Sequence, residues 1–320
     1  MPSSSIPQPA TASGIDVELA ELIAMRQRAS RFARPPQRVS GGRAATHESR
    51  FRGRGVDYVE SRNYQPGDDI RQMDWRVTAR TGRPHTKLFQ EEREQSTFLL
   101  VDCNACMRFG TRKRFKSVQA ARTAALIAWA AVLGGDRVGA LGFGPNLNAE
   151  VKPGGGSRGA LRVLRALAQW DALSRGDAAP VALSQALQRA HRLARPGCRI
   201  VLLTDGFSAD AEAQAPLSML AAHCEVVTIL ISDPLEQAAP PPARYAMRSE
   251  SGLVTLDFAA AKTRKQWLEL FARRRERMID MLKRRALRWT QLETQEEPDA
   301  ALARLLGLGG KGRSAKAKPA

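Results

Sequence analysis

The sequence predicts an α/β fold, a mostly parallel sheet with helices on both faces. Three observations predict it. Apolar runs of strand length recur at residues 97–102, 137–143, 199–204 and 225–231. Such continuous runs fit strands buried on both sides. Segments with helical spacing separate them, which calls for right-handed crossovers between parallel strands. Two of the runs lead into an acid, Asp102 and Asp205, at the strand ends where open parallel sheets bind ligands.

In chain order, residues 1–13 are polar and rich in Pro and Ser, the composition of a disordered start. Residues 14–36 hold an amphipathic helix, with Val17, Leu19, Leu22 and Ile23 on its apolar side. Arg26, Arg28, Arg31 and Arg34 suit its C-terminal turns, and Pro35-Pro36 stops it. Residues 37–95 carry a dense signature, expected to pack on the core. The core itself spans residues 96–258. A helix over 113–133 presents Phe115, Val118, Ala125, Trp129 and Val132 at spacings near three and four, and Gly134-Gly135 ends it. A short edge strand is expected at 149–152, and helices at 161–167, 181–193 and 213–222. Residues 259–306 read as C-terminal helices, the first over 262–288. Residues 307–320 read as a basic tail.

The 320 residues suffice for one large core. Fifty Lys and Arg against 32 Asp and Glu leave +18, an attraction for acidic partners. No stretch approaches the roughly 20 apolar residues of a membrane span; the best, 120–133, is interrupted by Arg122. The start lacks the apolar segment of a signal peptide. A cytoplasmic protein is expected. The four cysteines do not form a disulfide framework. Cys103 and Cys106 make a CxxC, a pattern that thioredoxin-like sites share, but the crossovers here are not thioredoxin's. No histidine stands at ligand or triad spacing, and no nucleophile–base pair is visible.

If Asp102 and Asp205 are neighbours, both carboxylates open on one crevice and would recruit a cation or raise a pKa. Alternatively each caps the turn after its strand. Residues 101–107, Val-Asp-Cys-Asn-Ala-Cys-Met, and 202–206, Leu-Leu-Thr-Asp-Gly, resemble the metal-site segments of von Willebrand factor A domains. That resemblance implies a von Willebrand A-like, Rossmann-type core and a Mg²⁺ held by an Asp-x-Ser-x-Ser segment, a loop Thr and a second Asp. Here Asn104 replaces the first Ser and Cys106 the second, a soft thiol that suits a hard cation poorly. The loop at 175–180 offers no hydroxyl. A degenerate site of Asp102, Asn104, Cys106 and Asp205 is expected, with Mg²⁺ binding lost or strongly weakened and no cofactor.

The most distinctive segment runs from Arg62 to Arg80. Pro66-Gly67 makes a tight turn, and Asp68 or Asp69 can cap a short helical turn. Arg62, Tyr64, Asp68, Asp69, Arg71, Asp74, Trp75 and Arg80 are expected to form an ion-paired brace, with Trp75 anchoring it by packing. The alternative is a ligand-binding surface. This block, with residues 93–102, Ser232-Asp233-Pro234-Leu235-Glu236 and the closing basic helix, resembles a bacterial family known as domain of unknown function number fifty-eight. The resemblance covers about residues 50–295. It implies a non-catalytic adaptor, working with a MoxR-type AAA+ ATPase in maturing or remodelling other proteins. Arg273, Arg274 and Arg277 on the basic helix are a candidate partner surface. Two alternatives are weighed: a nucleic-acid-associated basic protein, which the packed aromatics disfavour, and a metal- or redox-dependent enzyme at the degenerate site.

Overall fold

The computed structural model describes residues 14–33, 56–91, 95–145, 147–174, 179–249 and 252–306. The expectations for residues 1–13 and for the tail at 307–320 lie outside them. The chain divides into two compact units, residues 34–94 and residues 1–33 with 95–320.

Helix α1 (Leu19–Ala29) opens the larger unit. The smaller unit holds β1 (Val56–Asn63), α2 (Trp75–Thr81) and β2 (His85–Glu91). The larger unit resumes with β3 (Ser96–Asp102), α3 (Lys116–Leu133), β4 (Arg137–Gly144), β5 (Leu147–Gly154) and α4 (Gly156–Leu173). Then follow α5 (Leu183–Leu193), β6 (Arg199–Thr204), α6 (Gln214–His223), β7 (Glu225–Ser232) and the single turn α7 (Pro234–Gln237). A hairpin of β8 (Arg244–Ser249) and β9 (Gly252–Asp257) precedes α8 (Ala261–Arg284), β10 (Arg288–Glu293) and α9 (Pro298–Leu306).

Six strands form one sheet in the order β10-β7-β6-β3-β4-β5. All pairings are parallel except β4 with β5, at one edge. Counted within the sheet, this is the doubly wound order 3-2-1-4-5-6, with its switch point between β3 and β6. The expected mostly parallel sheet, with helices on both faces, is therefore present. The period of two explains it. Leu99 and Val101 of β3, with Val201 and Leu203 of β6, join Leu22, Trp129, Val163 and Leu302 on one face. Phe98, Leu100, Ile200 and Leu202 join Leu187, Leu217 and Met278 on the other. Each such side chain contributes roughly 1.5–3 kcal/mol through burial.

The C-terminal expectation needs correction. Residues 288–293 are not helical; they form β10, parallel to β7 along the far edge. Helix α8 ends at Arg284 and Ala286 takes φ 50°, which breaks the spiral. Beyond it Thr290 and Leu292 are buried alternately, the pattern of a strand. In α1 the buried residues are Leu22, Met25 and Ala29, while Ile23 is exposed. Among the described residues no helix is long and apolar enough to cross a membrane.

In the smaller unit β1 and β2 pair antiparallel, Asn63 opposite His85. The Pro66-Gly67 turn closes with Asp68 N–H donating to the Gln65 carbonyl at 3.0 Å, and Gly67 takes φ 107°, open to glycine. Asp74 is the N-cap of α2, accepting from the Arg76 and Val77 amides at 3.2 Å and from Ser61 Oγ at 2.7 Å. Trp75 does not anchor by packing: it is 65% exposed. It stands first in a two-turn helix, and the buried partner there is the Asp74 cap.

Candidate functional site

Strands β3 and β6 lie side by side with Val101 opposite Leu203, so they end together at the switch point. Asp102 closes β3, and Asp205 follows β6 directly. Both are buried. Asp102 is saturated with donors. Its Oδ1 accepts from the Asn104 amide at 3.0 Å and Asn104 Nδ2 at 2.8 Å; its Oδ2 accepts from Thr204 Oγ1 at 2.7 Å and Ser208 Oγ at 2.8 Å. Burial, then the charge on Asp205, pushes the Asp102 carboxyl up to about 6 against the pull of those bonds. Asn104 is held at its other end by Val181, whose amide donates to Oδ1 at 2.8 Å and whose carbonyl accepts from Nδ2 at 3.1 Å. The loop at 175–178 lies outside the described residues.

Asp205 has different partners. Oδ1 accepts from the Phe207 amide at 2.9 Å and from Cys106 Sγ at 3.7 Å. Gly206 between them takes φ 82°, a conformation glycine adopts without strain. Oδ2 accepts from Lys116 Nζ at 2.7 Å, and the same ammonium donates to Glu236 Oε1 at 2.5 Å. Lys116 is the first residue of α3 and is 1% exposed. Its Nζ lies 4.9 Å from the centre of the Phe207 ring and 5.6 Å from that of Phe109. Burial disfavours the ammonium, but Asp205 and Glu236 outweigh it and hold Lys116 above the ordinary lysine range. Burial raises the Glu236 carboxyl, with Lys116 opposing. Glu236 is set by a capping box with Asp233 at the start of α7.

Of the residues expected from the sequence, Asn104 bonds Asp102 and Cys106 bonds Asp205; Lys116, Glu236, Thr204 and Ser208 were not among them. Glu236 carried a signal, since Asp233-Pro234-Leu235-Glu236 has the spacing of a capping box. Each acid caps the turn behind its strand, Asp102 accepting from the Asn104 amide and Asp205 from the Phe207 amide, and they line separate pockets, Asp102 with Asn104 and Arg108, Asp205 with Phe207 and Glu236.

The donor set does not fit an octahedral Mg²⁺, which needs free oxygens and retained waters. Both Asp102 oxygens accept from N–H or O–H groups. The Asn104 oxygen is turned to the Val181 amide, Cys106 presents a thiol, and an ammonium sits on Asp205. The thiols are equally constrained. Burial, then the Asp205 charge, pushes Cys106 up; burial, then Asp102, does the same to Cys103. Cys103 Sγ donates to the Val101 carbonyl at 3.6 Å. The thiolate needed for thiol–disulfide exchange is disfavoured in both.

The remaining candidates separate into two groups. In the smaller unit Arg62 pairs with Asp68 at 2.6 Å, Asp69 accepts from the Arg71 amide at 2.9 Å, and the Tyr64 amide donates to the Pro84 carbonyl at 2.9 Å. Arg71, Arg76 and Arg80 are exposed and make no side-chain ion pair among the described residues. On α8, Arg273 is exposed and pairs with Glu269 at 3.9 Å, Arg274 lies 4.5 Å from the centre of the Phe207 ring, and Arg277 Nη1 donates to the Ala209 carbonyl at 3.4 Å. Two of the three basic candidates thus contact the loop behind Asp205.

Comparison with known proteins finds relatives by sequence and by structure. An uncharacterized protein of Mycobacterium bovis is 36% identical over 222 residues, covering 68% of each chain, and uncharacterized proteins of Mycobacterium tuberculosis match equally. Among solved structures, the conserved hypothetical protein BatB from Bacteroides thetaiotaomicron is 15% identical with a TM-score of 0.44, covering 67% of this chain and 97% of its own. A von Willebrand factor type A protein from Catenulispora acidiphila is 13% identical with a TM-score of 0.37, covering 68% and 42%. Residues 60–277, from the signature through most of α8, match the family described as protein of unknown function DUF58, and the chain belongs to that family.

Proposed function

We propose that the chain is a non-catalytic adaptor, acting in the cytoplasm with a MoxR-type AAA+ ATPase in the maturation or remodelling of other proteins. The observation that carries the interaction reading is the exposed part of the signature. Ile70 is 62% exposed and Trp75 65%, with Arg71, Arg76 and Arg80 exposed on the same short stretch. Trp and Arg are the residues that most often dominate binding interfaces. The acids beside them, Asp68 and Asp74, are engaged within the unit by Arg62 and by the cap of α2. The +18 charge favours an acidic partner surface. A non-catalytic role is supported by the acids Asp102, Asp205 and Glu236, which are buried and bonded to Lys116, Thr204, Ser208, Asn104 and backbone amides.

Co-purification with a MoxR-type AAA+ ATPase from the same cell, with and without ATP, tests this reading. Trp75→Ala and Arg71→Ala should melt as the wild type does, within the roughly 0.5 kcal/mol usual for surface changes, and lose the ATPase. A wild-type preparation that retains no ATPase, or a Trp75→Ala variant that retains it fully, would count against the proposal.

A further inference from the structure

We infer that the Lys116 ammonium is the built-in cation of the switch-point crevice, occupying Asp205 where the resemblance to von Willebrand factor A domains implies a divalent metal, so that the crevice is metal-independent. Two buried carboxylates, Asp205 and Glu236, need a counter-charge. The ammonium supplies it at 2.7 and 2.5 Å, capped by the faces of Phe207 and Phe109. Its position is not one that a helix selects. Lys116 opens α3, an 18-residue helix, at the end where the macrodipole disfavours a positive charge. The two acids must therefore hold it there. Asp102 is withdrawn from any ion by its four donors.

A shallow pocket lined by Phe207, Phe271, Arg275 and Gln291 reaches Asp205 and Glu236. A divalent cation approaching Asp205 through it would meet Arg275 on its wall, which repels it. The inference stands on this geometry alone and is independent of the adaptor reading.

The test is titration of the full chain with Mn²⁺, by calorimetry and electron paramagnetic resonance, together with thermal melts in EDTA and in Mg²⁺. The wild type should show no saturable site and the same melting temperature in EDTA and Mg²⁺. Lys116→Ala should melt lower and bind Mn²⁺ at least roughly tenfold tighter than the wild type. Adding Asp205→Asn to it should abolish that binding. One Mn²⁺ per wild-type chain, removed by Asp205→Asn, would overturn the inference. So would a Lys116→Ala variant that melts as the wild type or binds Mn²⁺ no better. If Lys116→Ala does not fold, the wild-type and Asp205→Asn titrations decide: saturable binding lost with Asp205 overturns the inference, and its absence with EDTA-insensitive melting supports it.

Discussion

At the scale of single residues, one lysine determines the character of the crevice. Lys116 reaches Asp205 and Glu236, partners 89 and 120 positions away in the chain. Removing one member of a buried charge group strands the others, a loss of about 3–5 kcal/mol, whereas replacing the whole group by neutral isosteres is often nearly neutral. Lys116→Met should therefore lower stability by about 3–5 kcal/mol. The triple change Lys116→Met, Asp205→Asn, Glu236→Gln should recover most of that loss. Denaturant titration of the two variants checks it; a triple variant no more stable than the single one would show that packing of the lysine stem, not charge, is what matters. Asp102 and Asp205 were legible in the sequence because each follows a buried apolar run. Lys116 was not, because a lysine opening a helix looks the same whether it faces solvent or acids contributed by distant segments.

At the scale of elements, the ends of helices and strands are tied by charge. Glu297, just before α9, accepts from Arg28 of α1 at 2.7 Å, from Arg122 of α3 at 2.8 Å and from Arg114 at 3.3 Å. Arg28 also pairs with Asp299, and Arg122 with Glu21. Burial would raise the Glu297 carboxyl, but the hydrogen bond from Arg28 and the charges of Arg122 and Arg114 hold it below the ordinary glutamate value. An acid depressed in this way adds stability above its unfolded pKa of about 4.3, and the gain is lost as pH falls through the lower folded value. The Glu297 contribution, read as the difference between wild type and Glu297→Gln, should be constant from neutral pH to about 5 and fall below it. Glu297→Gln should melt lower at pH 7 and show a flatter acid limb; an unchanged acid limb would remove Glu297 from the account. The amphipathic start and the core stripe of α3 were readable from spacing, but this network was not, since its acids and arginines come from three separate segments. The extent of α8 was misjudged for a related reason: its polar stripe runs into β10 with little change in composition, and only the positive φ at Ala286 marks the break.

At the scale of the molecule, the sheet depends on its last strand. β10 covers the edge of β7, and Leu292 and Leu302 are part of the core on the α3 face. Thr294 Oγ1 further donates to buried Asp233 at 2.8 Å. A chain ending at residue 287 would present β7 as an open apolar edge, a template for pairing with other chains. Size-exclusion chromatography should find it aggregated while the full chain is not, and a monodisperse truncated chain with the wild-type melting temperature would contradict this. The edge at β5 is different: it is antiparallel, with alternating burial, so one edge of the sheet is protected by its own pattern and the other by the C-terminal strand.

The sequence by itself determined the α/β class, five of the six strands of the main sheet to within a residue or two and the tight turn of the signature; it left the meeting of Asp102 with Asp205 conditional. Those features are written locally, in the period of apolar residues and in the backbone restrictions of Pro and Gly. Only the tertiary structure decided that Trp75 is exposed, that residues 288–293 complete the sheet, and that an ammonium rather than a set of free oxygens sits on Asp205. Each of these depends on which distant segments meet, and a side chain's charge and burial are properties of that meeting, not of its neighbours along the chain.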